Sequence, residues 1–379
     1  MLDLLSLLEN LIAKPSITPL DEGCQTLIAQ ILESIHFKTQ FFPKNHVNNL
    51  WAKYGESHPL LVFAGHTDVV SPGDINAWSS SPFEPTVRDG YLYGRGAADM
   101  KSSLAAMLVA AERFIHTHPN FRGSIGFLIT SGEEGTESDD GTPHVMASIT
   151  EQGEKVDACI VGEPSSEKQL GDTLKVGRRG SLTGYLTIHG KQGHVAYPHK
   201  AENPIHQSAK VVHTLVDTLW DKGNKFFPPT SFQITSIQAD AGGNNVIPGT
   251  LKINFNFRYS PESHHEELQK LVTRILKNQK LNFSLEWQVG GLPFLSKQGP
   301  LLKAMQKSLK TVCDIQPELS TAGGTSDARF IAPYDVEVIE FGPSNKTIHQ
   351  IDECIEIEEL YRLVRVYESI LENFFQPAP

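Results

Sequence analysis

Two histidines and several carboxylates stand in short motifs along this chain, most of them just beyond an apolar run. His66 lies in Gly65-His66-Thr67-Asp68, and Asp99 in Gly94-Arg95-Gly96-Ala97-Ala98-Asp99-Met100-Lys101. Glu134 lies in Ser131-Gly132-Glu133-Glu134-Gly135, Glu163 in Val161-Gly162-Glu163-Pro164, and His349 in Lys346-Thr347-Ile348-His349. Two neutral imidazoles with three carboxylates suit two zinc ions that share one carboxylate. Cobalt or manganese can fill one of two such N/O sites. Glu133 is a carboxylate left over beside the set. A metal pair with a spare base is the equipment for hydrolysing an amide with an activated water.

Each motif alone has an ordinary reading. A His-Thr-Asp loop is usually a structural polar cluster, a Glu-Glu pair a solvated turn, and a single histidine near a helix start a surface side chain. Their joint placement argues against all three. Leu60 to Ala64 (LLVFA), Ser124 to Thr130 (SIGFLIT) and Asp157 to Val161 read as buried strands, and Ser103 to Phe114 as a helix rich in Ala and Leu. Strand–helix alternation predicts a mainly parallel, doubly wound α/β sheet. In such sheets sites lie beyond the carboxyl ends of strands, which is where His66, Glu134 and Glu163 fall.

Between about Gly180 and Gly291 the pattern changes. Strands are expected at 181–188, 231–237, 251–258 and 281–288, with helices at 204–219 and 262–277, the second opened by Ser260-Pro261. The order βαββαβ matches a split βαβ, ferredoxin-like sandwich. The expected organisation is therefore a catalytic domain of residues 1–179 and 292–379 with an inserted domain of residues 180–291.

The 379 residues suffice for two domains and a large core. A formal net charge of −11 with no Lys/Arg block argues against nucleic-acid binding. No run of about 18 apolar residues exists, so no membrane span is expected. The apolar start, MLDLLSLLENL, is interrupted by Asp3 and Glu9 and has no basic flank. It reads as an amphipathic helix and not as a signal peptide. Four scattered cysteines fit a reducing, cytoplasmic setting.

The motifs GHTDVV at 65–70, YGRGAADMK at 93–101 and the Glu-Glu pair resemble those of the co-catalytic zinc aminoacylase/carboxypeptidase family. The resemblance covers nearly the whole chain. GRRGSLTG at 177–184, HGKQGHVAYPHKAENPIH at 189–206, AGGNNVIPG at 241–249, AGGTSDARFIA at 322–332 and NKTIHQ at 345–350 resemble one branch of it. That branch acts on an N-succinylated diamino acid with three carboxylates and a free amine. The resemblance makes Asp99 the shared ligand of two zinc ions per subunit. His66 and Glu163 would complete one site, and Glu134 and His349 the other. Asp68 would hold the far nitrogen of His66, and Glu133 would be the general base. His194 would reach the neighbouring subunit's site as an oxyanion donor, which implies a homodimer built through the inserted domain.

The resemblance assigns Arg178, Arg258, Ser181, Tyr197, Asn244, Asn245, Gly324, Thr325 and Asn345 to the substrate pocket. Arginine suits carboxylates because its planar fork matches them, and Arg179 is a further cation beside the set. Two departures stand out: an acidic residue is expected at Gly132 and an asparagine at Asp352. Within the enzyme class the alternatives are an N-acetylornithine-type deacylase or a di- or tripeptidase. Outside it stands a metal-free scaffold, whose signature would be loss of a ligand or of Glu133; every one of these residues is present.

Overall fold

The structure, a computed structural model, describes residues 2–375. The chain splits into two compact units. The first comprises Met1–Gly177, Ser296–Ser320 and Ser326–Pro379, and the second Arg178–Leu295 with Thr321–Thr325. The short 321–325 segment thus belongs with the second unit, where the sequence reading leaves it in the first.

The first unit begins with α1 (Leu4–Ile12), α2 (Cys24–Ser34), β1 (Lys38–Phe41), β2 (Asn49–Tyr54), β3 (Leu60–His66) and α3 (Lys101–Thr117). It continues with β4 (Ser124–Thr130), α4 (Thr142–Glu151), β5 (Ala158–Val161) and β6 (Thr173–Lys175). The second unit contains β7 (Gly180–His189), α5 (Pro204–Asp217), β8 (Ser231–Gln238), β9 (Thr250–Tyr259), α6 (His265–Asn278) and β10 (Phe283–Gly291). The chain completes the first unit with α7 (Pro300–Cys313), β11 (Glu318–Ser320), β12 (Glu337–Glu340) and α8 (Ile357–Phe375).

Among the described residues, the sheet of the first unit has the order β1-β2-β4-β3-β5-β12-β6-β11. Its centre, β4-β3-β5-β12, is parallel, while β1 and β2 run antiparallel on one side and β6 meets β12 antiparallel on the other. The sheet is therefore mixed and mostly parallel. Every residue of β3, β4 and β5 is buried, as expected for strands covered on both faces. Leu61, Phe63, Ile125 and Phe127 point into the core shared with α1, α3, α7 and α8. The alternate residues Val62, Ala64 and Leu128 are equally buried, and α4 lies against β2 and β4. Helix α1 starts where the Asp3 carboxylate accepts from the Ser6 N–H at 2.8 Å. It buries Leu4, Leu7, Leu8, Leu11 and Ile12, an i, i+3, i+4 stripe.

In the second unit the sheet order is β8-β9-β7-β10, antiparallel throughout. Leu182, Leu186, Ile188, Ile253, Phe255 and Phe257 alternate with polar residues and share a core with Val211 and Leu215 of α5 and Leu268 and Val272 of α6. The opposite face carries Ser181, Thr183, Asn256 and Arg258. Helix α6 starts at His265, not at the expected Glu262. The segment before it is tied into a turn: the Ser263 N–H donates to the Ser260 carbonyl, and the Ser263 hydroxyl to Asp221 at 2.6 Å. Among the described residues no helix is long and apolar enough to cross a membrane. All four cysteines are free thiols.

Candidate metal centre

Parallel register decides which side chains meet. His66 closes β3 opposite Thr130 of β4, and Ala64 pairs with Val161 of β5. The carboxyl ends of the three strands are therefore level, and the residues just beyond them (Glu133, Glu134 and Glu163) emerge at one edge beside His66. Asp99 arrives from the loop before α3, and His349 from the segment beyond β12.

His66 Nε2 lies 3.4 Å from Asp99 Oδ1 and 3.7 Å from Glu163 Oε1. His349 Nε2 lies 3.4 Å from Asp99 Oδ2 and 3.1 Å from Glu134 Oε1. The two oxygens of Asp99 thus face different histidines. Donors on a tetrahedral zinc at bond lengths of about 2.0–2.2 Å stand about 3.4 Å apart, so these separations suit two cations sharing Asp99. His66 Nε2, Asp99 Oδ1 and Glu163 Oε1 are buried and have no hydrogen-bond partner. Three such orphaned atoms converging on one point are costly unless a cation joins them. Among the described residues, three groupings have ligand atoms close enough for one ion: His66-Asp99-Glu163, Asp99-Glu134-His349 and His66-Glu133-Glu134.

The electrostatics agree. Burial pushes the Glu163 and Glu133 carboxyls well up, and neighbouring carboxylates push the same way. Burial also raises Asp99, but His349 and His66 outweigh it and bring Asp99 down to about 2. His349 is held at about 10 by hydrogen bonding to Asp99 and Glu134. The cluster is an excess of negative charge that borrows protons onto its imidazoles.

Asp68 departs from expectation in detail. The His66 ring donates from Nδ1 to the Asp68 backbone carbonyl at 2.9 Å, while the Asp68 carboxylate stands 3.6 Å from that nitrogen. This bond leaves the Nε2 lone pair free for a metal. The carboxylate instead accepts from the N–H groups of Glu133 at 3.3 Å and Glu134 at 3.0 Å. Asp68 therefore fixes the backbone of the two glutamates. Both sequence departures also have local causes. A Cβ at Gly132 would lie 2.9 Å from Val47 Cγ2, leaving little room for an acidic side chain. The Asp352 carboxylate accepts from the Ser79 N–H at 2.8 Å and the Ser79 hydroxyl at 2.6 Å, whereas an asparagine offers one acceptor oxygen.

Several supporting residues escaped the sequence reading. Asp21 accepts from the Thr67 hydroxyl at 2.7 Å, bracing the residue between His66 and Asp68. Buried Lys101 donates to the Leu11 and Lys14 carbonyls at 2.8 and 2.9 Å, anchoring the start of α3 beside Asp99. Arg95 and Glu353 form a buried ion pair at 2.7 Å. A buried charge inside a ligand motif was the available signal for Arg95 and Lys101; Glu353 had none, because its partner is 258 residues away.

Of the remaining candidates, Asn345 lies in the first unit, where its N–H donates to the Ser166 carbonyl at 2.9 Å. The others lie in the second unit. Arg178 is buried and donates from Nη1 to the Ala322 carbonyl at 2.9 Å, beneath the loop carrying Gly324 and Thr325. Gly323 lies at φ 107°, a backbone conformation that favours glycine, and a Cβ there would come within 2.3 Å of that nitrogen. Ser181 and Arg258 are cross-strand partners on β7 and β9. His194, Tyr197, Asn244 and Asn245 are exposed. They gather around a short ladder in which His194 pairs with Val246 and the Val195 N–H donates to the Asn245 carbonyl at 3.0 Å. His194 Nδ1 accepts from the Ala196 N–H at 3.1 Å, which places the ring proton of the neutral imidazole on Nε2.

The mixed sheet thus carries two histidines and four carboxylates gathered at its carboxyl edge. The pattern of peptidase family M20/M25/M40 matches residues 62–373, and the chain belongs to that family. A succinyl-diaminopimelate desuccinylase from Shewanella pealeana is 53% identical over 369 residues, covering 97% of this chain and 97% of that one. Among solved structures, the M20 family metallo-carboxypeptidase Sso-CP2 from Sulfolobus solfataricus superposes with a TM-score of 0.81 at 18% identity, covering 99% of each chain. The Bacillus subtilis YXEP protein, a dinuclear metal binding peptidase of the M20 family, superposes with a TM-score of 0.72 at 14% identity, covering 98% of each chain. At these identities the two structures share the fold.

Proposed function

We propose that the protein is a zinc-dependent amidohydrolase that cleaves N-succinyl-LL-2,6-diaminopimelate to succinate and LL-2,6-diaminopimelate, a step toward lysine and cell-wall precursors. The observation that carries this reading is the meeting of three buried, unpartnered donor atoms of His66, Asp99 and Glu163 in a chain 53% identical to a desuccinylase. His66, Asp99 and Glu163 would hold one cation and Asp99, Glu134 and His349 the other. A pair of divalent cations bound there would supply Lewis acidity and would lower the pKa of water to about 7.

Glu133 is the general base. Its backbone is pinned by Asp68, which holds it beside the donor cluster, where a general base must stand within reach of the water proton it takes. Glu133 removes a proton from water as the water oxygen attacks the succinyl carbonyl carbon. The C–N bond then breaks, and Glu133 returns the proton to the departing amine. His194, with its proton on Nε2, donates to the developing oxyanion of the neighbouring subunit's substrate. This role calls for a homodimer, with the 180–291 domain as dimerisation and lid element. Arg178 and Arg258 pair with substrate carboxylates, and Ser181, Tyr197, Asn244, Asn245, Gly324, Thr325 and Asn345 complete the pocket. The free thiols and the biosynthetic role support a cytoplasmic location.

The test compares kcat/KM for N-succinyl-LL-diaminopimelate and N-acetylornithine on one sample of known zinc content. Preference for the succinyl substrate by roughly 10²-fold or more is expected, because the acetyl compound lacks the carboxylate that the proposed pocket is built to bind. Equal values, or preference for N-acetylornithine, would overturn the assignment.

A further inference from the structure

Glu353 is almost fully buried, and its carboxylate is bonded to one loop. Its Oε1 accepts from the N–H groups of Ala98 and Asp99, both at 2.9 Å. Its Oε2 accepts from the Gly96 N–H at 2.9 Å and from Arg95 Nη1 at 2.7 Å. Its own carbonyl accepts from the Gly94 N–H at 2.9 Å. The loop from Gly94 to Asp99 is thus gripped along its length by one residue. Arg95 is held in turn over the Trp78 ring at 5.1 Å. Four residues before Glu353, on the same short segment, stands His349 at φ 59°. The Thr347 hydroxyl donates to the Cys354 carbonyl at 3.0 Å, closing that segment on itself.

We infer that Glu353 is a positioning residue for the cation pair: by gripping the Asp99 loop from the His349 segment, it sets the placement of the shared carboxylate against the His349 imidazole. The inference rests on the two-cation reading above. The chemistry requires a carboxylate. Four donors converge on two oxygens, whereas glutamine offers one acceptor oxygen and turns an NH₂ group toward the remaining N–H groups. Arg95 keeps the buried charge neutral. The adjacent Asp352 differs: its carboxylate takes Ser79 and touches neither ligand loop.

The experiment is a zinc titration of the chelator-stripped, full-length protein against a competing chromophoric chelator. Wild type, Glu353→Gln, Glu353→Asp and Asp352→Asn are compared, with the melting temperature of each stripped protein recorded. Wild type should bind two zinc ions. Glu353→Gln should weaken the looser of the two by roughly 10–100-fold, as outer partners of ligands do, and its activity should return with excess zinc. Asp352→Asn should titrate like wild type. Glu353→Asp keeps the buried ion pair with a shorter reach and should fall between. It supplies the reading if the glutamine variant does not fold. A folded Glu353 variant with wild-type zinc affinity would overturn the inference, as would failure of both variants to fold, which would make the residue a folding element. Equal weakening by Asp352→Asn would also overturn it. Wild type that binds no zinc pair would instead sink the two-cation reading.

Discussion

His349 is half exposed, and hydrogen bonding to Asp99 and Glu134 pushes its pKa from 6.5 up to about 10. Proton and cation compete for that ring, because only the neutral imidazole ligates. The folded pKa lies above the unfolded one. The proton's contribution to stability is therefore complete below pH 6.5 and is lost as pH rises toward 10. The melting temperature of the stripped protein should fall between pH 7 and 10, and the fall should flatten in His349→Ala and under saturating zinc. A flat profile in stripped wild type would contradict this account. Zinc affinity should rise over the same window. At Glu133 the expected effect is chemical: Glu133→Gln should lower turnover roughly 10²–10⁴-fold with both zinc ions retained. Metal analysis beside the assay checks this, and near-normal turnover would end the general-base assignment. Short motifs singled out His66, Asp99, Glu133, Glu134, Glu163 and His349 in the sequence, and the structure brings their side chains together. The Asp68 carboxylate was misdirected, because a two-residue spacing does not say whether carbonyl or carboxylate meets the ring.

The elements hold these residues through close approaches that side chains would block. Gly342, just beyond β12, passes so near β5 that a Cβ there would lie 2.5 Å from the backbone carbonyls of both Gly162 and Glu163. Backbone cannot swing aside as a side chain can. Gly342→Ala should cost roughly 1–3 kcal/mol by overpacking and displace Glu163, so thermal stability and zinc affinity should drop together. Unchanged values for both would show that the strand ends have slack. The strands and helices themselves were readable from apolar runs and periodicity, most securely β3 and β4. The antiparallel margins of the sheet were not, because a short strand carries no mark of its neighbour's direction. The start of α6 was also missed, because Asp221, far back in sequence, captures Ser263.

At the scale of the whole molecule, the sharpest expectation concerns His194. If its Nε2–H serves the partner's site, His194→Ala and Glu133→Gln should each be inactive alone yet complement when mixed. A mixed dimer would pair an intact Glu133 with an intact His194 at one of its two sites. Statistical exchange should then restore about a quarter of wild-type turnover. Sedimentation would confirm that dimers form. No recovery from freely exchanging dimers would place His194 in its own subunit's chemistry or outside the chemistry altogether.

Sequence alone determined the donor types, their order and the strand ends that carry them, because ligand chemistry and apolar patterning are local properties. It also carried the branch-specific segments around Arg178, His194 and Gly324. Tertiary structure decided which atoms meet: the two oxygens of Asp99 facing two different histidines, Asp68 holding the His66 ring with its carbonyl and the Glu133–Glu134 backbone with its carboxylate, and Glu353 gripping a loop 254–258 residues away. Those contacts join distant stretches of chain. Their geometry follows from strand register and buried hydrogen bonding, which no local window of residues contains.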